Sequence, residues 1–211
     1  MNGLGRLWYR FWQQMAFVVF VFVFGLRVYH RRRFPRTGGV LVVANHQSYL
    51  DPMLAAAGMP RPLHPMARDS LFRFAPFGWL IRSLHAFPVE RGTADLGAVR
   101  EALRRLWGGA VVLMFPEGTR TRDGSVGPLH GGLVAIAARA GVPIVPMVID
   151  GAFEAWPRTR RLPRPCPIRV ACGRSVAVSG LAAKDTQRVA AGLREQMIAL
   201  QAELRQRADE R

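Results

Sequence analysis

Cysteine and acidic residues are both scarce in this chain of 211 residues. The two cysteines, Cys166 and Cys172, are too few for a disulfide framework and are not spaced as a zinc site, which favours a reduced compartment. Aspartate and glutamate together number 14, against 30 lysines and arginines, and nearly all of the positive charge is arginine. The resulting net charge of +16 predicts an anionic partner, with nucleic acid, anionic lipid and a phosphorylated substrate as the candidates.

The apolar run Met15–Leu26 is shorter than a membrane span needs to be. A helix of this run covers about 18 Å, against about 30 Å for the hydrocarbon core of a bilayer. Aromatic residues precede the run, and both flanks suit a membrane interface with anionic headgroups. The basic residues that follow it are Arg27, His30, Arg31, Arg32, Arg33 and Arg36. We therefore predict that residues 1–36 anchor the chain to the cytoplasmic face of the inner membrane, as a monotopic or re-entrant segment.

Three alternatives to this monotopic anchor stay open. A single tilted span requires the run to extend back through Trp12 and Trp8, which includes Arg10 and two glutamines. A secretory signal peptide has an apolar region of this length, but no small-residue cleavage site follows Leu26. The valines and phenylalanines of the run would also suit a buried core helix or strand.

Residues 37–211 alternate between apolar strands and amphipathic helices. This pattern predicts a single α/β domain with a central mixed sheet flanked by helices. The predicted strands cover residues 39–44, 85–89, 110–115, 143–149 and 168–172. The predicted helices cover residues 52–57, 94–107 and 129–140, together with a C-terminal amphipathic helix that carries Val189, Leu193, Met197, Leu200 and Leu204. Residues 157–167, rich in proline and arginine, are predicted to form a surface loop.

The most informative segment follows the first of these strands. The strand stops before His46, and Asp51-Pro52 is typical of a helix start, with Asp51 as the N-cap and Pro52 at the first helical position. His46 therefore lies in a tight connection at a strand end, where α/β proteins usually place their chemistry. A carboxylate five residues later can bind one imidazole nitrogen and leave the other free as a base. The segment alone leaves open a simple N-cap aspartate beside an unreactive loop histidine.

Three further clusters coincide with predicted strands. Phe87-Pro88-Val89-Glu90-Arg91-Gly92 places an arginine just after a strand, and Phe115-Pro116-Glu117-Gly118-Thr119-Arg120 does the same, with Gly118 allowing close backbone approach. Val142-Pro143-Ile144-Val145-Pro146 places two prolines around a short apolar strand. In a shared sheet, the strand ends would bring Arg91, Glu117 and Arg120 near His46.

Together with Asn45-His46-Gln47-Ser48-Tyr49-Leu50-Asp51, these segments resemble the four ordered blocks of a known family. That family is the 1-acylglycerol-3-phosphate (lysophosphatidate) acyltransferases, within the glycerophospholipid acyltransferases. The resemblance covers about Gly39 to Ile149, and four blocks in the right order are far more specific than any single block.

The resemblance implies a glycerolipid acyltransferase-like fold and a defined reaction. A fatty acyl group moves from an acyl thioester to the free sn-2 hydroxyl of lysophosphatidate, which gives phosphatidate in phospholipid biosynthesis. His46 would act as general base, oriented by Asp51, with direct attack and no acyl-enzyme. The residues implied in substrate binding are Asn45, Arg91, Glu117, Gly118, Thr119 and Arg120, with Arg91 on the acceptor's phosphate. No metal or prosthetic group is implied, and the donor is acyl-CoA or acyl-acyl carrier protein.

The chain departs from the family pattern after the third block. Where many members carry an aromatic-Lys-x-Gly sequence, this chain has Leu129-His130-Gly131-Gly132. Losing a fixed positive charge there makes a lyso-ornithine lipid or another lysophospholipid an alternative acceptor. A non-catalytic membrane-binding protein of the same fold is a second alternative. A nucleic-acid-binding protein is not expected, because it would leave the apolar run unexplained and the arginines are not interleaved with stacking aromatics.

Overall fold

The structure is a computed structural model that describes residues 3–90 and 95–210. The strands are β1 (Arg27–Tyr29), β2 (Val40–Ala44), β3 (Leu63–Arg68), β4 (Phe87–Val89), β5 (Val111–Met114), β6 (Ile144–Asp150) and β7 (Arg169–Cys172). The α-helices are α1 (Gly3–Phe24), α2 (Asp51–Ala57), α3 (Ala75–Ser83), α4 (Leu96–Trp107), α5 (Gly132–Ala140), α6 (Ala152–Ala155) and α7 (Thr186–Asp209). Short 3₁₀ helices cover Arg31–Arg33, Asp69–Phe72 and Ala183–Asp185.

The strands form one mixed sheet in the order β1-β7-β6-β2-β5-β3-β4, which confirms the predicted sheet type. Strands β6, β2, β5, β3 and β4 are parallel to one another. Strand β7 runs antiparallel to β6, and β1 runs parallel to β7. The carboxyl ends of the five parallel strands therefore share one edge of the sheet, the carboxyl edge. The segments that follow β2, β4 and β5 in the chain all begin at this edge.

Helices cover both faces of the sheet, because the central strands are apolar on both sides. All five residues of β2 are buried, and alternate side chains point to opposite faces. Val40 and Val42 belong to a core cluster shared with α1 and α2, whereas Leu41 and Val43 belong to a second cluster shared with α4, α5 and α7. This three-layer arrangement confirms the predicted α/β domain. In α7, four of the predicted apolar positions are buried: Leu193, Met197, Leu200 and Leu204.

Helix α1 is longer than the apolar run that predicts it and is docked on the protein by polar contacts. Trp8 Nε1 donates to Ser83 Oγ (3.0 Å), and the hydroxyl of Tyr9 accepts a hydrogen bond from Leu63 N (2.9 Å). Gln13 Nε2 donates to the carbonyl oxygens of Ala56 and Met59 at the end of α2. One side of α1 is therefore fixed against α2, α3 and the start of β3.

The opposite side of α1 is an apolar stripe that faces away from the protein. Its most exposed members are Phe22, 84% exposed, and Leu4, 78% exposed. The other exposed apolar residues of the stripe are Leu7, Phe11, Met15, Val18, Val19 and Val23. Within the described ranges α1 is the one helix long and apolar enough to cross a membrane by length and composition. Beyond α1, β1 lies within residues 1–36 and pairs with β7, so part of the predicted anchor joins the sheet. The boundary between residues 36 and 37 stays a prediction.

Candidate active site

Helix α2 begins one residue earlier than the sequence predicts. Leu50 is the N-cap, and its carbonyl oxygen accepts from the amides of Met53 and Leu54. The prediction that Asp51 caps the helix is therefore wrong. The carboxylate of Asp51 turns back over the preceding loop, where buried backbone amides lack strand partners and need an acceptor. The carboxylate therefore binds the loop between β2 and α2 and does not cap the helix.

The pairing of His46 with Asp51, predicted from their spacing, is present. Asp51 Oδ2 accepts from His46 Nδ1 at 2.7 Å, from Gln47 N at 2.6 Å and from Ser48 N at 2.7 Å. With an ionised carboxylate as the acceptor, Nδ1 carries the proton and the neutral imidazole presents Nε2 as a base. No hydrogen bond joins Nε2 to any residue in the described part of the chain.

The pair is removed from bulk water. The Asp51 side chain is fully buried and that of His46 is 9% exposed. Burial raises the pKa of Asp51 above its ordinary value, and the hydrogen bonds from His46, Ser48 and Gln47 oppose this rise. On one face the His46 ring stacks on Phe115, with ring centroids 4.4 Å apart. The imidazole is thus held in one orientation with a single nitrogen left for chemistry.

The third block lies beside His46, as its strand end predicts. Glu117 Oε1 accepts from the backbone amide of His46 at 3.4 Å, and Thr121 N donates to the carbonyl oxygen of His46 at 2.7 Å. Gly118 has a φ of +67°, the left-handed conformation that glycine adopts without strain. The guanidinium of Arg120 lies over the ring of Tyr49, 3.4 Å from its centroid. Thr119 is exposed at the same turn.

Glu117 combines partial burial with nearby negative charge. Burial raises its pKa to about 7, the charges of Asp51 and Asp123 add to this rise, and backbone hydrogen bonds from Gly127 and His46 oppose it. The group therefore changes charge in the neutral pH range.

Glu117→Gln is expected to make stability less sensitive to pH. Glu117 has a pKa of about 7 in the folded chain against an ordinary value of 4.5, so only the folded state keeps the proton between these values. The free energy of unfolding therefore falls as pH rises through this window, and it levels off above the folded pKa. Glutamine keeps the acceptor oxygen but has no such titration. The difference between the unfolding temperature of the variant and that of the parent should rise from pH 5 to pH 8. An equal rise in the exposed control Glu195→Gln would contradict this.

Arg91 lies outside the described residues, so its predicted place near His46 stays a prediction. Strand β4 ends at Val89 on the carboxyl edge, two residues before it. Glu90 lines a surface depression of about 280 Å³ together with Arg68, Asp69 and Arg73. Arg68 is exposed at the end of β3, on the same edge of the sheet.

Asn45 was expected to bind substrate, but the structure places it in the protein interior. Its side chain is fully buried, and both ends of its amide bind the backbone of Ile149. Nδ2 donates to the Ile149 carbonyl oxygen and Oδ1 accepts from Ile149 N, each at 2.8 Å. The side chain continues the pairing between β2 and β6 just past the end of their ladder. Both ends of the amide are thus engaged by Ile149, and a contact of Asn45 with substrate stays a prediction.

Asn45→Ala is expected to destabilise the fold. The change leaves the buried N–H and C=O of Ile149 without partners, which costs about 2–4 kcal/mol in the free energy of unfolding. Denaturant unfolding measures the loss, with Gln206→Ala, an exposed amide, as the matched control. A loss below that of the control would show that Asn45 does not support the pairing of β2 with β6.

Sequence reasoning missed a buried amide network behind the site. Gln47 Nε2 and Gln201 Nε2 both donate to the carbonyl oxygen of Gly124, at 2.8 and 2.9 Å. Gln201 also lies 3.2 Å from Asp150 Oδ1. The network joins the His46 loop, the loop after β5 and α7. A signal was available: Gln201 occupies the apolar face of the predicted C-terminal helix, four residues after Met197.

The parallel strands bring an imidazole–carboxylate pair to one edge of an α/β sheet with Nε2 of His46 free, an arrangement that suits proton abstraction by a general base. No group of three or more metal-ligating side chains accompanies the pair in residues 3–90 and 95–210. A family model described as Acyltransferase matches residues 25–150, so the chain belongs to this acyltransferase family.

Individual relatives agree with the family match. The 1-acyl-sn-glycerol-3-phosphate acyltransferase of Bacillus subtilis is 31% identical over 128 residues, which are 60% of this chain and 63% of that protein. The alpha form from Mus musculus is 30% identical over 187 residues, which are 85% of this chain and 65% of that protein. The chain thus spans just under two thirds of the length of both curated relatives. The predicted resemblance to this family is confirmed.

A solved structure supports the fold independently. The crystal structure of the 1-acyl-sn-glycerophosphate (LPA) acyltransferase PlsC from Thermotoga maritima superposes with a TM-score of 0.85. The match covers 97% of this chain and 84% of that chain, at 24% sequence identity. At this identity the likeness shows the fold, including the mixed sheet and the helices on its faces.

Proposed function

We propose that this chain is an acyltransferase that moves a fatty acyl group from an acyl thioester to the sn-2 hydroxyl of lysophosphatidate, forming phosphatidate. The observation that carries the proposal is the His46–Asp51 pair, with Nε2 of His46 left free at the carboxyl edge. The curated relatives carry the name of this activity, which supports the choice of acceptor. No metal or prosthetic group forms part of the proposed reaction.

The proposed reaction is a direct displacement. Nε2 of His46 removes the proton from the acceptor hydroxyl while the hydroxyl oxygen attacks the thioester carbonyl. The carbon–oxygen bond forms and the carbon–sulfur bond breaks. The leaving thiolate then takes the proton from the imidazolium of His46. Asp51 stabilises the imidazolium while it exists and holds the ring in one orientation. The ester and the free thiol are the products, and His46 ends as it began.

The placement of the cysteines and of Ser48 supports direct attack. Cys172 is buried, its Sγ lies 3.6 Å from Met59 Sδ, and burial raises its pKa to about 12. Cys166 packs against the core cluster that includes α1 and α2. The Ser48 hydroxyl donates to the carbonyl oxygen of Trp156. None of these side chains pairs with His46 as a nucleophile would.

Arginines near the carboxyl edge are the proposed anchor for the acceptor's phosphate. Arg91 follows β4 in the sequence, and Arg120 lies over the ring of Tyr49 in the structure. A planar guanidinium suits bidentate contact with phosphate. Arg68 and the exposed His130 are weaker candidates.

Arg91→Ala and Arg120→Ala are each expected to raise the KM for the acceptor by about 10-fold to 100-fold, with a smaller change in kcat. Each change removes a charge-assisted contact made equally to the bound acceptor and to the transition state. Steady-state kinetics with varied acceptor and saturating donor separates the two constants. The exposed Arg122, two residues after Arg120, supplies the control as Arg122→Ala. An unchanged KM would assign that arginine to the solvated surface.

Helix α1 is the proposed membrane contact, as a monotopic helix on the cytoplasmic face of the inner membrane. Its docked side is held by Tyr9 and Gln13, so the apolar stripe on its other side is the surface available to lipid. Its end at Phe24 leads into β1, which lies next to β7 in the sheet. A helix fixed along the protein in this way is better placed to lie in the interface than to cross the bilayer.

The first test is acyl transfer from a radiolabelled thioester by membranes containing the full chain. Lysophosphatidate, a lyso-ornithine lipid and another lysophospholipid are offered separately, each with acyl-CoA and with acyl-acyl carrier protein. We expect transfer to lysophosphatidate. Transfer to another acceptor alone would keep the mechanism and move the substrate, with His130 as the first residue to change. Absence of transfer with every pair would leave a non-catalytic membrane-binding protein as the better description.

A further inference from the structure

The loop after α6, residues 157–167, carries an uncompensated concentration of positive charge. Four arginines in this arginine loop are exposed: Arg158, Arg160, Arg161 and Arg164. None of the four forms an ion pair with an acidic side chain in the described part of the chain. Leu162 lies among them and is 74% exposed. The loop therefore presents both positive charge and an apolar side chain to its surroundings.

Hydrogen bonds hold the arginine loop in a fixed shape. Trp156 Nε1 donates to the carbonyl oxygen of Arg160 at 3.1 Å. Arg164 is used internally, since its Nε donates to Glu154 O at 2.8 Å and its backbone amide donates to Ala155 O. The side chains of Arg158, Arg160 and Arg161 form no hydrogen bond or ion pair with any residue that the structure describes, so they are available to a partner. Three cations on a braced backbone lose less entropy on binding than three on a loose chain.

The arginine loop lies between the C-terminal end of α1 and the Tyr49–Arg120 contact beside the active site. Immediately after the loop, Ile168 N donates to the carbonyl oxygen of Phe24, the last residue of α1, at 2.9 Å. Immediately before it, the Trp156 ring packs on Tyr49 with centroids 5.2 Å apart, and Tyr49 carries Arg120 on its ring. The loop and the C-terminal end of α1 therefore lie side by side at the carboxyl edge of the sheet.

We propose that the arginine loop is a second membrane contact, which binds anionic phospholipid headgroups through Arg158, Arg160 and Arg161 while Leu162 enters the interface. The inference rests on the proposed membrane association of α1. Charge complementarity alone would also fit an acidic protein such as the acyl carrier. The exposed leucine between the arginines and the position of the loop beside the end of α1, the proposed membrane helix, favour lipid. With two contacts, the carboxyl edge is turned towards the bilayer that holds the acceptor.

The test is flotation of the full chain with vesicles of phosphatidylcholine alone or mixed with phosphatidylglycerol. R160Q/R161Q should weaken binding to the mixed vesicles by about 25-fold, since each basic residue near an anionic surface contributes about fivefold. Binding to neutral vesicles should not change, because α1 is intact. R139Q/R174Q, which removes two exposed arginines from α5 and from the segment after β7, is the matched control. Leu162→Gln should weaken binding to both kinds of vesicle.

The outcomes separate this inference from the proposed function. Equal losses in R160Q/R161Q and R139Q/R174Q would reduce the effect to net charge and overturn the proposal. Unchanged vesicle binding with a loss of turnover confined to acyl-acyl carrier protein would make the loop a protein-docking surface and overturn it as well. A parent chain that binds neither vesicle would overturn membrane association as a whole. A parent chain that transfers no acyl group would overturn the proposed function without touching the vesicle result. Thermal unfolding of each variant checks that the fold is intact.

Discussion

His46→Ala is expected to lower kcat for acyl transfer by about 10²–10⁴-fold, the range that general base catalysis contributes. Nε2 of His46 is the one free nitrogen on a ring whose other nitrogen is bound to Asp51. Without that base, the acceptor hydroxyl must lose its proton to water or to a weaker group. The variant should still fold, because Asp51 Oδ2 keeps its hydrogen bonds from Gln47 N and Ser48 N.

Single-turnover kinetics with saturating acceptor and donor isolates the chemical step for His46→Ala. His30→Asn is the control, since His30 follows β1 at the opposite edge of the sheet, where it binds Glu203. Circular dichroism and vesicle flotation check folding and membrane binding. Turnover at the parent's rate would remove His46 from the mechanism, and an equal loss in His30→Asn would show that the effect is not specific to the base.

Asp51→Asn is expected to cost about 10²–10⁴-fold in kcat while the fold survives. An asparagine oxygen can still accept from the amides of Gln47 and Ser48, so the loop keeps its shape. The same oxygen can also still accept from Nδ1 of His46, so what disappears is the negative charge that favours the imidazolium. Because Asp51 is fully buried, solvent does not compensate the imidazolium for the loss of that charge.

Asp51→Ala provides the contrast that tests this account. Alanine removes the charge and also leaves two buried backbone amides without an acceptor, at about 1–3 kcal/mol each. Denaturant unfolding should therefore show a clear loss of stability for alanine and a smaller loss for asparagine, with similar losses of kcat. An asparagine variant as active as the parent would show that Asp51 acts only as a scaffold for the loop.

The sequence predicts the convergence at the carboxyl edge because chain order and strand period together determine it. Strands that alternate with helices form a largely parallel sheet, so residues after β2 and β5 must meet at one edge. His46, Glu117 and Arg120 follow this rule. The role of Asn45 does not, because its bond partner Ile149 lies 104 residues away in the chain. The pairing is revealed only by the position of β6 next to β2 in the sheet.

The N-terminal segment shows a different limit of sequence reasoning. Hydropathy locates the apolar run, but it treats Gln13 as an interruption of that run. In the structure Gln13 is the residue that binds the end of α2, 43 and 46 residues further along the chain. A polar residue in an apolar helix can face either water or unpaired carbonyl oxygens, and composition does not distinguish the two. Hydropathy alone therefore does not show which side of α1 packs on the protein and which side carries the apolar stripe.

The shared carbonyl of Gly124 has a consequence for the timing of synthesis. All four blocks precede α7, yet Gln201 of α7 supplies one of the two amides that hold Gly124. During synthesis on the ribosome, His46, Asp51 and Glu117 are therefore all made before Gln201, which completes the support of Gly124. The braced site can form only after residue 201 has emerged from the exit tunnel. A premature stop codon before that residue would keep the catalytic pair in the chain but remove the hydrogen bond from Gln201 to Gly124.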